Sequence, residues 1–282
     1  MRFTKMQGCG NDYIYVNCFE EKVEDPSSLA VKLSDRHFGI GSDGLILIEP
    51  SSCADAYMHM FNLDGSEGKM CGNGLRCVAK YIYDHGLIPS SRREASIETG
   101  SGIKDVQLEV ENGIVRMVTA DMGRAVLTGG VLQKIRLSEI ALEYTGIDIG
   151  NPHAVFFLDD NPELIKWQNE PAGSLSLSKL EISKTEALSD RKDIFPEGVN
   201  AEFIEVINRR EIDFRVWERG SGETLACGTG ASASVAAGNI RGKLDPEVLV
   251  HLAGGDLSIR YDRETGHCYM TGPAVEVFSG IV

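Results

Sequence analysis

The 282-residue sequence predicts an α+β fold made of two related halves. Short alternating or β-branched runs dominate, while helical periodicity is clear in only four stretches. A cysteine-glycine motif, "MCGNG" at 70–74, returns as "ACGTG" at 226–230, and each copy runs into helix-forming residues. Strands mixed with a few helices give the class; the returning motif gives the duplication.

The strand readings, in chain order, are "YIYVNCF" (13–19), "GLILIEP" (44–50), "AYMHMFN" (56–62), "VQLEV" (106–110), "GIVRMVT" (113–119), "HAVFFL" (153–158), "AEFIEVI" (201–207), "EIDFRVWE" (211–218) and "LSIRYD" (257–262). Their β-branched and aromatic residues suit a pleated surface. Helical spacing appears in "SSLAVKLSDRHF" (27–38), where a serine is the expected N-cap, in "GLRCVAKYIYDHG" (74–86), in "NPELIKWQNE" (161–170) and in "ASASVAAGNIRG" (231–242). The second and fourth end near glycines that suit a C-cap. A polar, serine-rich connection, "GSLSLSKLEISKTEALSD" (173–190), reads as partly helical, and no long flexible linker is present.

Composition limits the function. Hydrophobic residues make up 42% of the chain, enough for a large core and for two lobes rather than one. A formal net charge of −14 with no Lys/Arg-rich run excludes the electrostatic footprint of a nucleic-acid or anionic-membrane binder. No stretch approaches the roughly 18 apolar residues of a membrane span, and the N-terminus lacks the apolar core of a signal peptide, so the expected location is the cytoplasm. Seven cysteines (9, 18, 53, 71, 77, 227 and 268) form neither a disulfide framework nor a C-x-x-C pair. They are expected as thiols, with no metal site. Cys9, Cys18, Cys53, Cys77 and Cys268 read as small buried hydrophobes.

The echo extends well beyond the motif. Nine residues before each cysteine stand Asn62 and Glu218, each preceded by an aromatic, Phe61 or Trp217; four before stand Glu67 and Glu223. Further out, "GNDYIYV" and "GNPHAVFF" place Asn11 and Asn151 at the start of strand-like runs, about half the chain apart. In each half the cysteine follows a strand, sits among glycines and opens a helix. A helix start offers unpaired N–H groups and a positive dipole end that bind carboxylate, and the same field is expected to lower a thiol pKa. Two such units facing each other would present two sulfurs to opposite faces of one carbon. That is what a racemase or epimerase needs, since one group removes the α-proton while its partner donates one from the other face. Helix N-termini aimed at the carboxylate would stabilise the carbanion with no pyridoxal cofactor.

The segments "KMQGCGNDYIYV", "HFGIGSDGLILI", "MFNLDGSEGKMCGNGLRC", "GNPHAVFF", "GVNAEFIEV", "RVWERGSGETLACGTGASA" and "YMTGPAVEVFSG" occur in this order, and by them the chain resembles the diaminopimelate epimerase family along nearly its whole length. The resemblance implies two pseudo-symmetric lobes, each a bent mixed β-sheet wrapped around a central α-helix. The N-terminal lobe, 1–118 plus 273–282, would carry Cys71 and receive the C-terminal strand; the C-terminal lobe, 119–272, would carry Cys227. It further implies a homodimer, no cofactor, and epimerisation of LL-2,6-diaminopimelate to the meso form used for lysine and peptidoglycan. Carried over by position, Cys71 and Cys227 are the acid/base pair, and His153 and Glu218 are auxiliary groups near the thiols. Asn11, Asn62, Gly72, Asn73, Asn151, Asn200, Glu218, Arg219, Gly228 and Thr229 fall at substrate-contact positions. Gly72, Asn73, Gly228 and Thr229 would offer backbone N–H groups to the carboxylate at the reacting carbon, while Asn62, Asn200 and Arg219 would grip the distal amino-acid head.

Competing readings exist for several of these residues. The asparagines suit caps and turns, His153 suits a satisfied strand histidine, and Glu218 with Arg219 suits an ion pair. "GTGASA" at 228–233 fits the glycine spacing of a dinucleotide-binding turn, but no strand runs directly into it. The alternatives for the whole chain are a racemase of histidine, proline or hydroxyproline, disfavoured by the Asn62, Asn200 and Arg219 set, and a non-catalytic amino-acid-binding protein. Phenazine-type isomerases share the architecture but lack the paired cysteines. Three positions depart from the family pattern: Gly44 stands where many members have a substrate-touching glutamine, Cys9 replaces an aliphatic residue, and Tyr13 a phenylalanine. The extra sulfur at Cys9 is either a source of oxidation sensitivity or inert.

Overall fold

A computed structural model describes residues 1–137, 139–167, 176–189 and 191–282. The chain divides into two compact units, Met1–Asp121 with Thr271–Val282, and Met122–Met270. The first unit is built from β1 (Arg2–Gly8), β2 (Asn11–Asn17), α1 (Pro26–Ser34), β3 (Gly44–Glu49), β4 (Ala56–Asn62), β5 (Glu67–Gly68), α2 (Gly72–Asp84), β6 (Glu94–Thr99), β7 (Gly102–Glu111) and most of β8 (Ile114–Arg124), which leaves the unit after Asp121. The second runs through β9 (Val126–Leu127), β10 (Gln133–Leu137), β11 (Ile140–Asp148), β12 (Pro152–Phe157), several 3-10 turns, α3 (Glu186–Ser189), β13 (Asn200–Asn208), β14 (Glu211–Glu218), β15 (Gly222–Glu223), α4 (Gly228–Ile240), β16 (Glu247–Leu252), β17 (Gly255–Tyr261) and β18 (His267–Pro273). The last strand, β19 (Val275–Ile281), pairs antiparallel with β1 in the first unit, Arg2 opposite Ile281. The α+β reading holds.

Both units repeat one pairing order. In the first, β1–β2 is antiparallel, β2–β3 parallel, β3–β4 antiparallel, β4–β6 parallel and β6–β7 antiparallel. In the second, β11–β12, β12–β13, β13–β14, β14–β16 and β16–β17 follow the same sequence of directions. The register is also shared: Phe61 lies opposite Leu45 and Glu67, as Trp217 lies opposite Ala201 and Glu223. Tyr13 pairs with Gly44 as His153 pairs with Asn200. The echo is therefore a structural repeat in which Gly44 corresponds to Asn200 and Ile46 to Glu202.

Each sheet encloses a helix. Every residue of α2 from Gly72 to Tyr83 is buried, as are all from Gly228 to Asn239 in α4 except Thr229. The helices solve burial differently. α2 carries Arg76 and Lys80 into the interior and satisfies them, Arg76 on Asn73 Oδ1 and the Pro273 carbonyl, Lys80 on Asp84 and the Val115 carbonyl. α4 is made largely of glycine, alanine and serine, and its Ser232 and Ser234 hydroxyls return to backbone carbonyls one turn earlier.

Several sequence expectations shift. The N-cap of α1 is Asp25, which accepts from the Ser28 N–H, because Pro26 at the first helical position moves the start ahead of the serines. The stretch 161–170 forms a 3-10 segment, Pro162–Trp167, instead of an α-helix, and its last three residues lie outside the described ones. In 173–190 the described part holds short 3-10 turns and the four-residue α3, while 173–175 and 190 lie outside. β1, β6, β10, β11, β16 and β18 are strands that the sequence patterns did not pick out. α2 and α4 end as expected, in Gly86 and Gly242 with positive φ just past the caps.

Candidate active site

Cys71 and Cys227 are the N-cap residues of α2 and α4, with near-identical extended backbones, φ −136° and −128°. Each sulfur accepts the N–H of the third helical residue, Gly74 at 3.5 Å and Gly230 at 3.4 Å. A cysteine thus fills the place usually held by serine or aspartate, and its sulfur sits in the field of the helix start. The glycines are required by what surrounds them. A Cβ on Gly74 would fall 2.8 Å from Ile46 Cδ1, and one on Gly230 would fall 2.9 Å from Glu202 Oε1, 3.1 Å from Phe214 Cζ and 3.2 Å from Cys227 Sγ.

Around Cys71 the first unit gathers Asn11, Gly72 and Asn73. The thiol donates to Asn11 Oδ1 at 3.3 Å, and Asn11 Nδ2 donates to Asp43 Oδ2 at 2.8 Å. Asp43 also pairs with Arg36. Asn11 is therefore held with its carbonyl toward the sulfur by an aspartate from "GSDG" that the sequence reasoning missed. Asn73 is 4% exposed, and its side chain takes Arg76, which leaves its backbone N–H as the group for a ligand. Asn62 closes the turn after β4, donating to Ser66 Oγ at 3.0 Å. No side chain fits at position 44: a Cβ on Gly44 would meet the Phe61 carbonyl oxygen at 2.1 Å and the Tyr13 ring at 2.8 Å, which accounts for the missing glutamine.

Around Cys227 the second unit places Gly228 and Thr229, with Glu218 and Glu202 acting on the sulfur and His153 and Asn151 joined to Glu202 in a hydrogen-bonded chain. Thr229 Oγ1 lies 3.5 Å from the sulfur. His153 is 1% exposed and held at both nitrogens, Nδ1 at 2.6 Å from Glu202 Oε1 and Nε2 at 3.0 Å from Asn151 Oδ1. Glu202 was not among the sequence candidates. A signal existed, since carrying the echo one strand upstream sets this glutamate against Ile46. Asn200 Oδ1 accepts the Arg219 N–H at 3.0 Å, and the Arg219 guanidinium donates to the Glu197 carbonyl. Glu218 accepts the Thr224 hydroxyl, and no ion pair joins it to Arg219 among the described residues.

The expected lowering of the thiol pKa is overturned at Cys227. Burial pushes this thiol well above its ordinary value, and the charges of Glu218 and Glu202 push it further, against the smaller pull of Thr229 and the Gly230 N–H. Burial, helped by two carboxylates, outweighs the helix start. The remaining cysteines divide: Cys9, Cys77 and Cys268 are buried as expected, Cys18 is half-buried and Cys53 is exposed. Burial raises Cys77 and Cys18 to about 11. Cys9 is 2% exposed in the β1–β2 turn, where it and Gly10 both adopt positive φ, so the inert reading of this sulfur fits best.

A sequence model described as diaminopimelate epimerase matches residues 3–128 and 145–277. A diaminopimelate epimerase of Agathobacter rectalis is 49% identical, covering 99% of this chain and 98% of its own, and one of Acetivibrio thermocellus is 45% identical over 100% and 98%. Among solved structures, a phenazine biosynthesis protein of the PhzF family from Bacillus anthracis aligns with a TM-score of 0.72 at 16% identity, covering 99% of this chain and 98% of its own. A probable proline racemase from Agrobacterium radiobacter aligns at 0.71 and 15%, covering 100% and 92%. At that identity they show a shared fold alone. The full-length relatives show more: the chain belongs to the diaminopimelate epimerase family, and its function is that of an isomerase acting on diaminopimelate.

Proposed function

We propose that the chain interconverts LL- and meso-diaminopimelate by a cofactor-independent two-base mechanism, with Cys71 and Cys227 exchanging the roles of base and acid between the two directions. The observation that carries this reading is the repeated N-cap thiol, one in each compact unit, Cys71 at the start of α2 and Cys227 at the start of α4. The backbone N–H groups of Gly72, Asn73, Gly228 and Thr229 bind the carboxylate at the reacting carbon, where negative charge grows as the proton leaves. Asn62, Asn200 and Arg219 hold the distal head, and His153 and Glu218 set the charge around Cys227. Histidine, proline and hydroxyproline carry no distal carboxylate for Arg219 to hold. The reaction serves lysine biosynthesis and, through the meso isomer, peptidoglycan; the enzyme acts in the cytoplasm as a homodimer. No helix among the described residues is long and apolar enough to cross a membrane.

Proton NMR of the reduced protein with LL-diaminopimelate in heavy water tests the reading. Loss of the α-hydrogen signal with appearance of the meso isomer is the expected result, and Cys71→Ala and Cys227→Ala each abolish interconversion. Full turnover by either variant overturns the two-thiol mechanism. Racemisation of histidine or proline without turnover of diaminopimelate overturns the substrate. Sedimentation equilibrium reads the dimer.

A further inference from the structure

The structural repeat makes one difference between the two halves conspicuous. Around Gly74 the nearest groups are Ile46, Cys71 and Met58; around Gly230 they are Glu202, Phe214 and Cys227, position for position. Likewise Tyr13 in β2 corresponds to His153 in β12. The first unit backs its thiol with apolar and aromatic groups, whereas the second places there a carboxyl and an imidazole, both side chains 0% exposed.

We propose that Glu202 is a positioning residue: it holds His153 through Nδ1 and, by keeping a proton on Nε2, fixes the Asn151 amide with its N–H2 group turned away from the histidine and toward the substrate. This rests on the reading of Asn151 as a substrate contact. The contacts fix the number of protons. Nε2 faces a carbonyl oxygen, Asn151 Oδ1 at 3.0 Å, so it carries a proton; a second proton lies in the 2.6 Å contact between Nδ1 and Glu202 Oε1. The pair is then neutral overall, whether written as carboxylate with imidazolium or as carboxyl with imidazole. Removing either proton leaves a buried net negative charge beside Glu218 and Cys227, the other titratable groups that act on this cluster from β14 and from the start of α4. Glu202 Oε2 is buried with no hydrogen-bond partner among the described residues, so the carboxyl group is held through Oε1, the oxygen on His153. Asn11 is oriented otherwise, by Asp43, with its carbonyl toward the thiol. The two asparagines are thus set by different devices, and the repeat alone does not make the half-sites equivalent.

Nitrogen-15 spectra of histidine-labelled protein, assigned with His153→Gln, test the inference first without any variant at Glu202. The expected result is a proton on His153 Nε2, facing Asn151 Oδ1; an unprotonated Nε2 overturns the inference. Glu202→Ile installs the side chain used by the first half and removes the partner of Nδ1. The expected result is loss of the fixed Nε2 proton and a rise in KM for diaminopimelate of about tenfold or more, exceeding the fall in kcat. Glu202→Gln, whose amide can still donate to Nδ1, restores KM to within about threefold of wild type and keeps the Nε2 proton. If Glu202→Ile is folded and retains the wild-type KM, or if Glu202→Gln fails to restore it, the positioning role is wrong. In an Asn151→Ala background Glu202→Ile adds no further rise, and an additive rise overturns transmission through Asn151. If Asn151→Ala alone leaves KM unchanged, the substrate reading of Asn151 fails, while the spectra still decide the link from Glu202 to His153.

Discussion

Gly230 has three close neighbours that belong to the proposed chemistry or its support, Glu202, Phe214 and Cys227, so it is a sensitive single residue to change. Gly230→Ala forces a methyl group to within 3.2 Å of all three. Overpacking of this kind costs about 1–3 kcal/mol, readable as a lower urea midpoint, and displaces the sulfur, so activity falls with stability. Charge acts on the same sulfur. Burial is the largest cause of the raised Cys227 thiol and remains in any variant, but Glu218 is the next. Glu218→Gln removes an anion that opposes the thiolate, so the thiol pKa falls. In a Cys71→Ala background, the 240 nm thiolate absorbance attributable to Cys227 is expected to rise at lower pH than with Glu218 present; an unmoved titration means that Glu218 does not govern this sulfur. The paired cysteines were legible in the sequence because their glycines and helix starts are local. Glu202 was not, because it sits in an ordinary-looking run, "AEFIEVI", and only the pairing of β12 with β13 places it on His153.

At the scale of elements, β7, β8, β13 and β14 and both central helices were legible, since their periodicity and glycine caps lie in contiguous residues. The missed strands depend on partners far away. β1 is paired with β19 from the far end of the chain, and β6 is tied to β4 by a carboxylate: the Asp55 N–H donates to the Ser96 carbonyl, the Ser96 N–H returns to Asp55 Oδ2 at 2.8 Å, and Arg92 binds both Asp55 oxygens at 2.5 and 2.9 Å. Burial works to raise the Asp55 carboxyl, yet Arg92 and the Ser96 N–H outweigh it and hold it below the ordinary range. A carboxyl lowered by folding adds stability that is fully present above its unfolded pKa, about 4, and is lost as the pH falls through the folded value. Asp55→Asn is therefore expected to cost about 1–2 kcal/mol at pH 7, consistent with charged hydrogen bonds, and progressively less below pH 4. Urea midpoints of the two proteins across pH 3–7 check this; a constant gap across that range contradicts it.

For the molecule as a whole, duplication with divergence makes a prediction that neither thiol makes alone. The repeat gives each unit an N-cap sulfur, and the proposed mechanism assigns one face of the reacting carbon to each thiol. Inversion needs both groups, because the proton leaves one face and arrives at the other. Exchange of the α-hydrogen with solvent needs only the base on the face that carries it. A variant with one thiol therefore loses epimerisation yet retains slow washout from whichever stereoisomer points its hydrogen at the surviving sulfur, and the two variants retain it for opposite isomers. Following deuterium uptake into separate LL- and meso-diaminopimelate samples, for Cys71→Ala and for Cys227→Ala, gives a two-by-two pattern. Complementary washout is the expected outcome. Washout from the same isomer in both variants would mean that one face, served by a group other than these cysteines, carries the proton in both directions. The divergence adds a second feature to the pattern. Because burial, Glu218 and Glu202 all hold Cys227 in its thiol form, the variant that depends on Cys227 as base is expected to gain washout with rising pH, up to the point at which the protein itself unfolds.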